Sequence, residues 1–432
     1  MQIFVDFHRI VGPIKPIHSV GEPPYYGTFL SNLHYLQQAG VPYARLHDIG
    51  MCGYSRRWVD IHHIFPDFSD DATDPASYDF TFTDCLINAL VEHGIEPLFR
   101  LGTSIENDAA IKAYHIDPPA DYEKWAVVCE HIIRHYTEGW ANGVHHTITY
   151  WEIWNEPDNE EDPMLNQMWR GNKEQYYALY GAASRHLKKC FPHLKFGGYG
   201  SCGFYSLLNS EVEGTAASLR TAYFITFLDG FLNYVRENNC PLDFFSWHSY
   251  DSIPHTRLYA DYARRQLDEA GFTHTALICD EWNNEFRRRS THEHATLTCG
   301  MLLMFQNSPV DMAHFYDAQI SASPYSGLFD PCSYLPYPAY YAFTAFQRLY
   351  ALGEQAALTC DADAVCAVAA TDGRTGCVLI ANPTAEPIPL TLHSNGQVRG
   401  CYLTADGRTE EPTSLPSALP PYSFLSVLLD VE

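Results

Sequence analysis

Positive charge is scarce in this chain. Its 432 residues carry 27 Lys and Arg against 52 Asp and Glu, a net charge of −25. Binding nucleic acid requires Lys and Arg gathered against phosphate, so this balance excludes a nucleic-acid partner and, by the same reasoning, an anionic membrane surface. No apolar run reaches the roughly eighteen residues that read as a membrane-spanning helix. The 13 cysteines include no C-x-x-C pair, and an odd, scattered set suits free thiols in a reducing compartment better than a disulfide framework. Near the start, Asp6, His8 and Arg9 stand where a signal peptide would place its apolar run, so the expected location is cytoplasmic. Neither a metal nor a cofactor is expected. His62-His63, His145-His146 and His292-Glu-His294 lack the His-Glu-x-x-His spacing, and paired loop histidines are usually solvated. Charged residues are only 18% of the chain, whereas aromatics reach 14% with 29 Tyr and 8 Trp; that is material for a large core and not for disorder.

The aromatics concentrate most in residues 147–158, T-I-T-Y-W-E-I-W-N-E-P-D. β-Branched and aromatic side chains suit a buried strand. The run ends at Asn155-Glu156-Pro157, where proline can neither extend a ladder nor leave Glu156 helical. An amide and a carboxyl are thus presented at the carboxyl end of an apolar strand. A carboxyl beside Trp154 should be pushed upward in pKa, as a general acid requires. The competing assignment is a helix cap or an arginine partner.

The surrounding chain alternates helix and strand. Helical patterns from Phe29, over Cys85–His93, Asp121–Tyr136, Glu174–Cys190, Ala222–Glu237, Asp261–Ala270 and Thr296–Gln306 precede apolar strands beginning near 43, 95, 147, 194, 242, 275 and 311. Such alternation implies a parallel sheet. With an eighth strand in residues 12–24 it makes a (β/α)8 TIM barrel. An open doubly wound sheet is the alternative, but no G-x-G-x-x-G follows an early strand. The expected catalytic barrel spans 11–350. Short alternating runs after Leu352 indicate an accessory antiparallel β-sandwich, formed by residues 351–432 with the N-terminal strand 1–10 joining it.

In a barrel, polar residues at strand carboxyl ends converge on one face. These are His47 and Asp48, Arg100, Asn155 and Glu156, His248 and Tyr250, Asp280 and Glu281, and Tyr316. Two carboxyls on the fourth and seventh strands, among aromatic residues and without a metal motif, are what glycoside hydrolysis uses. Trp154, Trp247, Trp282 and Phe315 are the candidate stacking surfaces for a sugar, and Asn155 is placed to hydrogen-bond a hydroxyl beside the reacting carbon. Asp280 competes with Glu281, but neighbours on a strand point to opposite faces and only one can line the pocket. Glu152 is expected to pair with Arg45 or Arg100.

The segments W-E-I-W-N-E-P-D, Tyr43-Ala-Arg-Leu-His-Asp, Pro118-Pro-Ala-Asp-Tyr-Glu-Lys-Trp, Phe196-Gly-Gly, Pro241-Leu-Asp-Phe-Phe-Ser-Trp-His-Ser-Tyr, Ile278-Cys-Asp-Glu-Trp-Asn and Ser326-Gly-Leu-Phe resemble, in this order over roughly residues 40–350, glycoside hydrolase family 39. That family of clan A holds β-xylosidases and α-L-iduronidases. The resemblance implies a retaining mechanism in which Glu156 matches the acid/base and Glu281 the nucleophile. Asn155, His47, His248 and Tyr250 match sugar-site residues; Asp48, Trp282 and Phe315 complete the expected substrate-binding set. Where xylosidases carry a tryptophan on the eighth strand, this chain has Phe315. The expected substrate is a short oligosaccharide or small glycoside, with xylose, arabinose, galactose, glucose and uronic acids all open. Arg287, Arg288 and Arg289 would favour a uronic acid if they reach the site; a solvated face is the alternative. An endo-acting enzyme, a carbohydrate-binding barrel without catalysis, and a homo-oligomer contacting through the β domain also remain open.

Overall fold

The computed structural model describes residues 1–431 except 28, 50–58, 106–115, 209–213, 285–287, 322 and 324. Eight parallel strands close a barrel: β2 (Ser19–Gly21), β3 (Tyr43–Leu46), β4 (Glu96–Leu101), β5 (Tyr150–Ile153), β6 (Lys195–Ser201), β7 (Phe244–Ser249), β8 (Ala276–Trp282) and β9 (Met312–Phe315), following the N-terminal β1 (Gln2–Pro13). Register pairs run round the ring from Val20↔Ala44 to Val20↔Phe315, so the short β2 is the strand that closes it. The helices between are α1 (Leu33–Gln38), α2 (Ile61–Ile64), α3 (Thr81–Glu92), α4 (Tyr122–Glu138), α5 (Lys173–Cys190), α6 (Ala216–Glu237), α7 (Ile253–Glu269), α8 (His292–Gln306) and α9 (Tyr340–Tyr350).

Local chemistry fixes the helix ends. The Asp121 carboxylate accepts from Lys124 N at 3.0 Å to start α4, and Gly139 at φ 74° ends it, the conformation glycine tolerates best. Asn172 and Gln175 form a reciprocal capping box at α5. Helix α7 begins at Ile253, well before the expected Asp261, because Pro254 sits in the first turn, where a missing N–H costs nothing.

The rest of the chain continues as β10 (Glu354–Cys360), β11 (Cys366–Thr371), β12 (Thr375–Asn382), β13 (Ile388–Pro389), β14 (Thr391–Ser394), β15 (Gly396–Ala405), β16 (Arg408–Thr413), β17 (Ala418–Leu419) and β18 (Ser423–Val431). Apart from the β13–β17 pair, these strands and β1 form one eight-stranded sheet, antiparallel except where β1 meets β14. Its central strands are apolar at nearly every position because both faces are covered. Val378 and Ile380 of β12 belong to a core with Ile3, Val5, Leu425, Val427 and Leu429, whereas Cys377, Leu379 and Ala381 join the barrel core. Helices α8 and α9 lie against β11 and β12.

Candidate active site

Strand β5 is only four residues long because the backbone leaves extended geometry at its end: Trp154 has φ 77° and Glu156 φ 43°. Non-glycine residues seldom adopt such values, and they gather at functional sites. Glu22 after β2 (φ 47°) and Asp48 after β3 (φ 52°) do the same. The loop carrying Glu156 is then tied down on both sides. Ser201 Oγ donates to Asp158 Oδ2 at 2.8 Å, and Arg220 Nε donates to Asn159 O at 2.6 Å. Burial pushes the Asp158 carboxyl up to about 7 against the hydrogen bond from Ser201.

Arg45, 1% exposed inside the barrel, organises the floor. Its Nη2 is 2.7 Å from Glu152 Oε2, its Nε is 2.8 Å from Asp280 Oδ2, and its Nη1 is 2.8 Å from Glu281 Oε1. Glu152 therefore takes the structural pairing expected of it. Nη2 also donates to Asn155 Oδ1 at 2.5 Å. With its oxygen turned to Arg45, the Asn155 amide keeps its N–H2 donors for a ligand. Gly200, at φ 61°, lies under this network; a Cβ there would stand 2.9 Å from Asn155 Oδ1 and 3.1 Å from His248 Nε2. Any larger residue would push the amide out of place.

Asp280 and Glu281 both point into the barrel, which alternation along a regular strand forbids. The cause is a β-bulge: Trp247 pairs with Cys279 but His248 pairs with Glu281, leaving Asp280 as the extra residue. Glu281 lines the pocket, and Asp280 lies buried beneath it against Arg45. Burial, with Glu152 and Glu281 nearby, holds the Asp280 carboxyl well above its usual range despite Arg45. Glu152 is held low: burial opposes this, but the Arg45 charge and hydrogen bonds from Asp280 and Ser246 prevail.

Glu281 accepts from Tyr250 Oη at 2.5 Å on its second oxygen. His248 links the two carboxyls of the pocket, its Nδ1 lying 2.8 Å from Glu156 Oε1 and 3.4 Å from Glu281 Oε2. One oxygen of each carboxyl and a His248 nitrogen all lie within 4.8 Å of one another. The electrostatics differ from the sequence expectation. Burial does push the Glu156 carboxyl up, but the hydrogen bond and charge of His248 and the amide of Asn159 outweigh it and leave it below the usual range. Burial raises Glu281 more than His248 and Arg45 lower it. His248 itself is raised: burial opposes, and the two glutamates win.

His47 is oriented from behind. Arg100 Nε donates to His47 Nδ1 at 3.1 Å, and Asp60 holds Arg100 at 2.6 Å. Arginine has no acceptor, so a neutral His47 carries its hydrogen on Nε2, facing Asp48 Oδ1 at 3.6 Å and Glu281 Oε1 at 3.9 Å.

The resulting cavity, about 490 Å³, is lined by Glu156, Glu281, Asn155, His47, Asp48 and Tyr250 of the expected set, together with Tyr316, Asp317, Gln319 and Tyr325 and with Glu22. The four expected stacking surfaces are elsewhere. Trp282 and Phe315, both 0% exposed, meet each other with ring centroids 5.2 Å apart and pack outward on Phe305 of α8 and Phe343 of α9. Trp154 packs on Trp125 and Trp169, and Trp247 on Phe204. The pocket wall is instead made of tyrosines: Tyr250, Tyr316 and Tyr325 contact one another at 5.3–6.2 Å between centroids. Tyr316 was visible as a strand end; Glu22 was not. It follows a three-residue strand amid four prolines, where no periodic signal marks a strand end. Of the basic loop, Arg287 lies outside the described residues, Arg288 pairs with Glu293, and Arg289 is influenced by Asp317.

The sequence profile of glycosyl hydrolases family 39 matches residues 37–276, and the chain belongs to that family. A β-xylosidase of Geobacillus stearothermophilus is 23% identical over 311 residues, 63% of this chain and 56% of that protein. A β-xylosidase of Caldicellulosiruptor saccharolyticus is 26% identical over 182 residues, 40% of this chain and 31% of that one. The matches thus span about half or less of these curated relatives. Among solved structures, a glucosidase from Croceicoccus marinus superposes with a TM-score of 0.77 at 22% identity, covering 100% of this chain and 99% of that one. A monomeric β-xylosidase from Caulobacter crescentus gives 0.68 at 17% identity, covering 100% and 99%. At these identities the structures establish the shared fold. No helix among the described residues is long and apolar enough to cross a membrane.

Proposed function

We propose that this protein is a retaining, xylosidase-like glycoside hydrolase that removes sugars from the ends of short oligosaccharides in the cytoplasm. The observation that carries the reading is the spacing of Glu156 and Glu281, whose nearest oxygens lie within 4.8 Å around His248 Nδ1. Retaining enzymes hold their carboxyls about 5–5.5 Å apart, whereas inverting ones need roughly 6.5–9.5 Å to admit a water between them.

Glu281 is the nucleophile. Both its oxygens accept from donors, Arg45 and Tyr250, which favours the carboxylate once a substrate is bound. It attacks the anomeric carbon as the bond to the leaving oxygen breaks. Glu156, hydrogen-bonded to His248, delivers a proton to that oxygen. In the second step Glu156 draws a proton from water, the hydroxyl adds to the anomeric carbon, and Glu281 is released as a carboxylate. The Asn155 amide hydrogen-bonds the hydroxyl next to the reacting carbon, and Tyr250, Tyr316 and Tyr325 supply the apolar surface for the ring.

The test is turnover of a panel of aryl glycosides, with the anomer formed first read by proton NMR. Retention, loss of activity in Glu281→Ala, and rescue of Glu156→Ala by azide are expected. Inversion, or a Glu281→Ala variant as active as wild type, rules the reading out.

A further inference from the structure

One wall of the pocket is built from residues that neither hydrolysis step uses. In the order of the barrel, β9 lies four strands from β5, directly across the mouth, and β2 is the neighbour of β9. Glu156, after β5, marks the side on which the leaving group departs. The wall that follows β9 and β2 therefore faces the opposite end of a sugar whose anomeric carbon is at Glu281.

That wall presents Glu22 and Gln319. Glu22 is 2% exposed, yet it lines the cavity. Tyr316 Oη donates to Glu22 Oε1 at 2.5 Å, and the Gln319 amide donates to Glu22 Oε2. Each carboxyl oxygen has capacity beyond one hydrogen bond, and the Gln319 amide has a second N–H and an acceptor oxygen. A carboxyl beside a carboxamide is suited to a pair of adjacent hydroxyls, each of which gives one hydrogen bond and takes another. Burial, with Asp317 and Asp48 nearby, holds the Glu22 carboxyl well above its usual range. Around it, the described lining contains the carboxyls of Glu22, Asp48, Glu156, Glu281 and Asp317 but no lysine or arginine. A sugar carrying its own carboxylate would be desolvated with no basic partner among these described lining residues.

We propose that Glu22 and Gln319 determine glycone specificity: they hydrogen-bond two neighbouring hydroxyls at the non-reducing end of an uncharged pyranose, in a lining that rejects uronic acids. The assignment rests on the glycosidase reading above. Neither position lies within residues 37–276, which the family profile matches.

The test compares kcat/KM of wild type, Glu22→Gln and Gln319→Ala on an aryl β-xyloside, on its 3-deoxy and 4-deoxy analogues, and on the aryl glucuronide. In wild type, deleting a contacted hydroxyl should cost about 10²-fold, because a buried polar group loses its partner. In the variant lacking that partner, the same deletion should cost only a few-fold. A merely structural role would lower all the xylosides alike and leave the deoxy penalties unchanged, which overturns the proposal. Gln319 is half-buried in a loop, so its variant supplies the comparison should Glu22→Gln fold poorly. Preferential turnover of the glucuronide also overturns it. If wild type hydrolyses no glycoside of the panel, the glycosidase reading fails and this proposal with it; turnover with unchanged deoxy penalties removes this proposal alone.

Discussion

His248 Nδ1 lies 2.8 Å from Glu156 Oε1, and this contact is the largest influence opposing burial on the Glu156 carboxyl. Because His248 also stands 3.4 Å from Glu281, the three groups titrate as a unit and not as independent residues.

His248 is among the groups that lower Glu281, against a larger upward push from burial. Replacing it with Asn removes that charge, so the Glu281 carboxyl must move further up. The acidic limb of the kcat/KM profile, below which the nucleophile is protonated, should shift to higher pH. An acidic limb that stays in place in His248→Asn would show that His248 does not act on Glu281.

The bulge in β8 separates two adjacent acids by role. Asp280 lies beneath the pocket against Arg45, its carboxyl pushed up by burial, so Asp280→Asn should keep activity within about tenfold of wild type, a loss typical of an indirect contact. Glu281→Gln should lose at least ~10⁴-fold, since on the proposed mechanism it removes the attacking group. Steady-state rates for the two variants decide the matter, and the reverse ranking would exchange the assignments.

Arg45 is the one cation touching Glu152, Asp280 and Glu281 among the described contacts. Arg45→Met leaves these acids buried without it, which should destabilise the fold by about 3–5 kcal/mol, as breaking a buried ion pair does. Urea unfolding would measure this. A midpoint like that of wild type would mean that the acids reprotonate without strain.

His18 offers a test of acid stability. Its Nε2 lies 3.0 Å from Gly40 O and 3.1 Å from Gln347 Oε1, both able to accept from a neutral ring. Burial depresses its pKa to about 4 from 6.5. The folded value is below the unfolded one, so the unfolded chain binds the proton first as pH falls. Stability should be unaffected above pH ~6.5, decline through the window down to about 4, and lose on the order of 3 kcal/mol in total. His18→Gln keeps a donor and cannot titrate; its stability curve should be flatter across that window. Parallel curves for the two proteins would remove His18 from the account.

The barrel was legible because its alternation is a periodic signal. Strands expected near 43, 95 and 275 begin at Tyr43, Glu96 and Ala276. The strand-end polar residues were legible for the same reason, and six of the expected set line the cavity. What escaped depended on departures from period. Trp282 follows a bulge that turns its ring onto the helices, and no sequence pattern marks a bulge whose extra residue is an aspartate. The pKa of Glu156 was read from its apolar neighbour Trp154, but the ring packs on Trp125 and Trp169 while a histidine 92 positions away sets the charge.

Strand β1 pairs with β10 and β14 and with no barrel strand; Gln2 N donates to Asp361 Oδ1, 359 positions later. Everything that forms the barrel lies between these partners. A ribosome therefore releases β1 before the barrel and its partners only after it, and the strand waits unpaired throughout. Phe4, Ile10 and Val11 stay partly exposed even in the finished protein, so during that interval the strand is an open edge that invites aggregation. Closing so long a loop is slow, and the sheet is accordingly completed only after the residues of the barrel have been made.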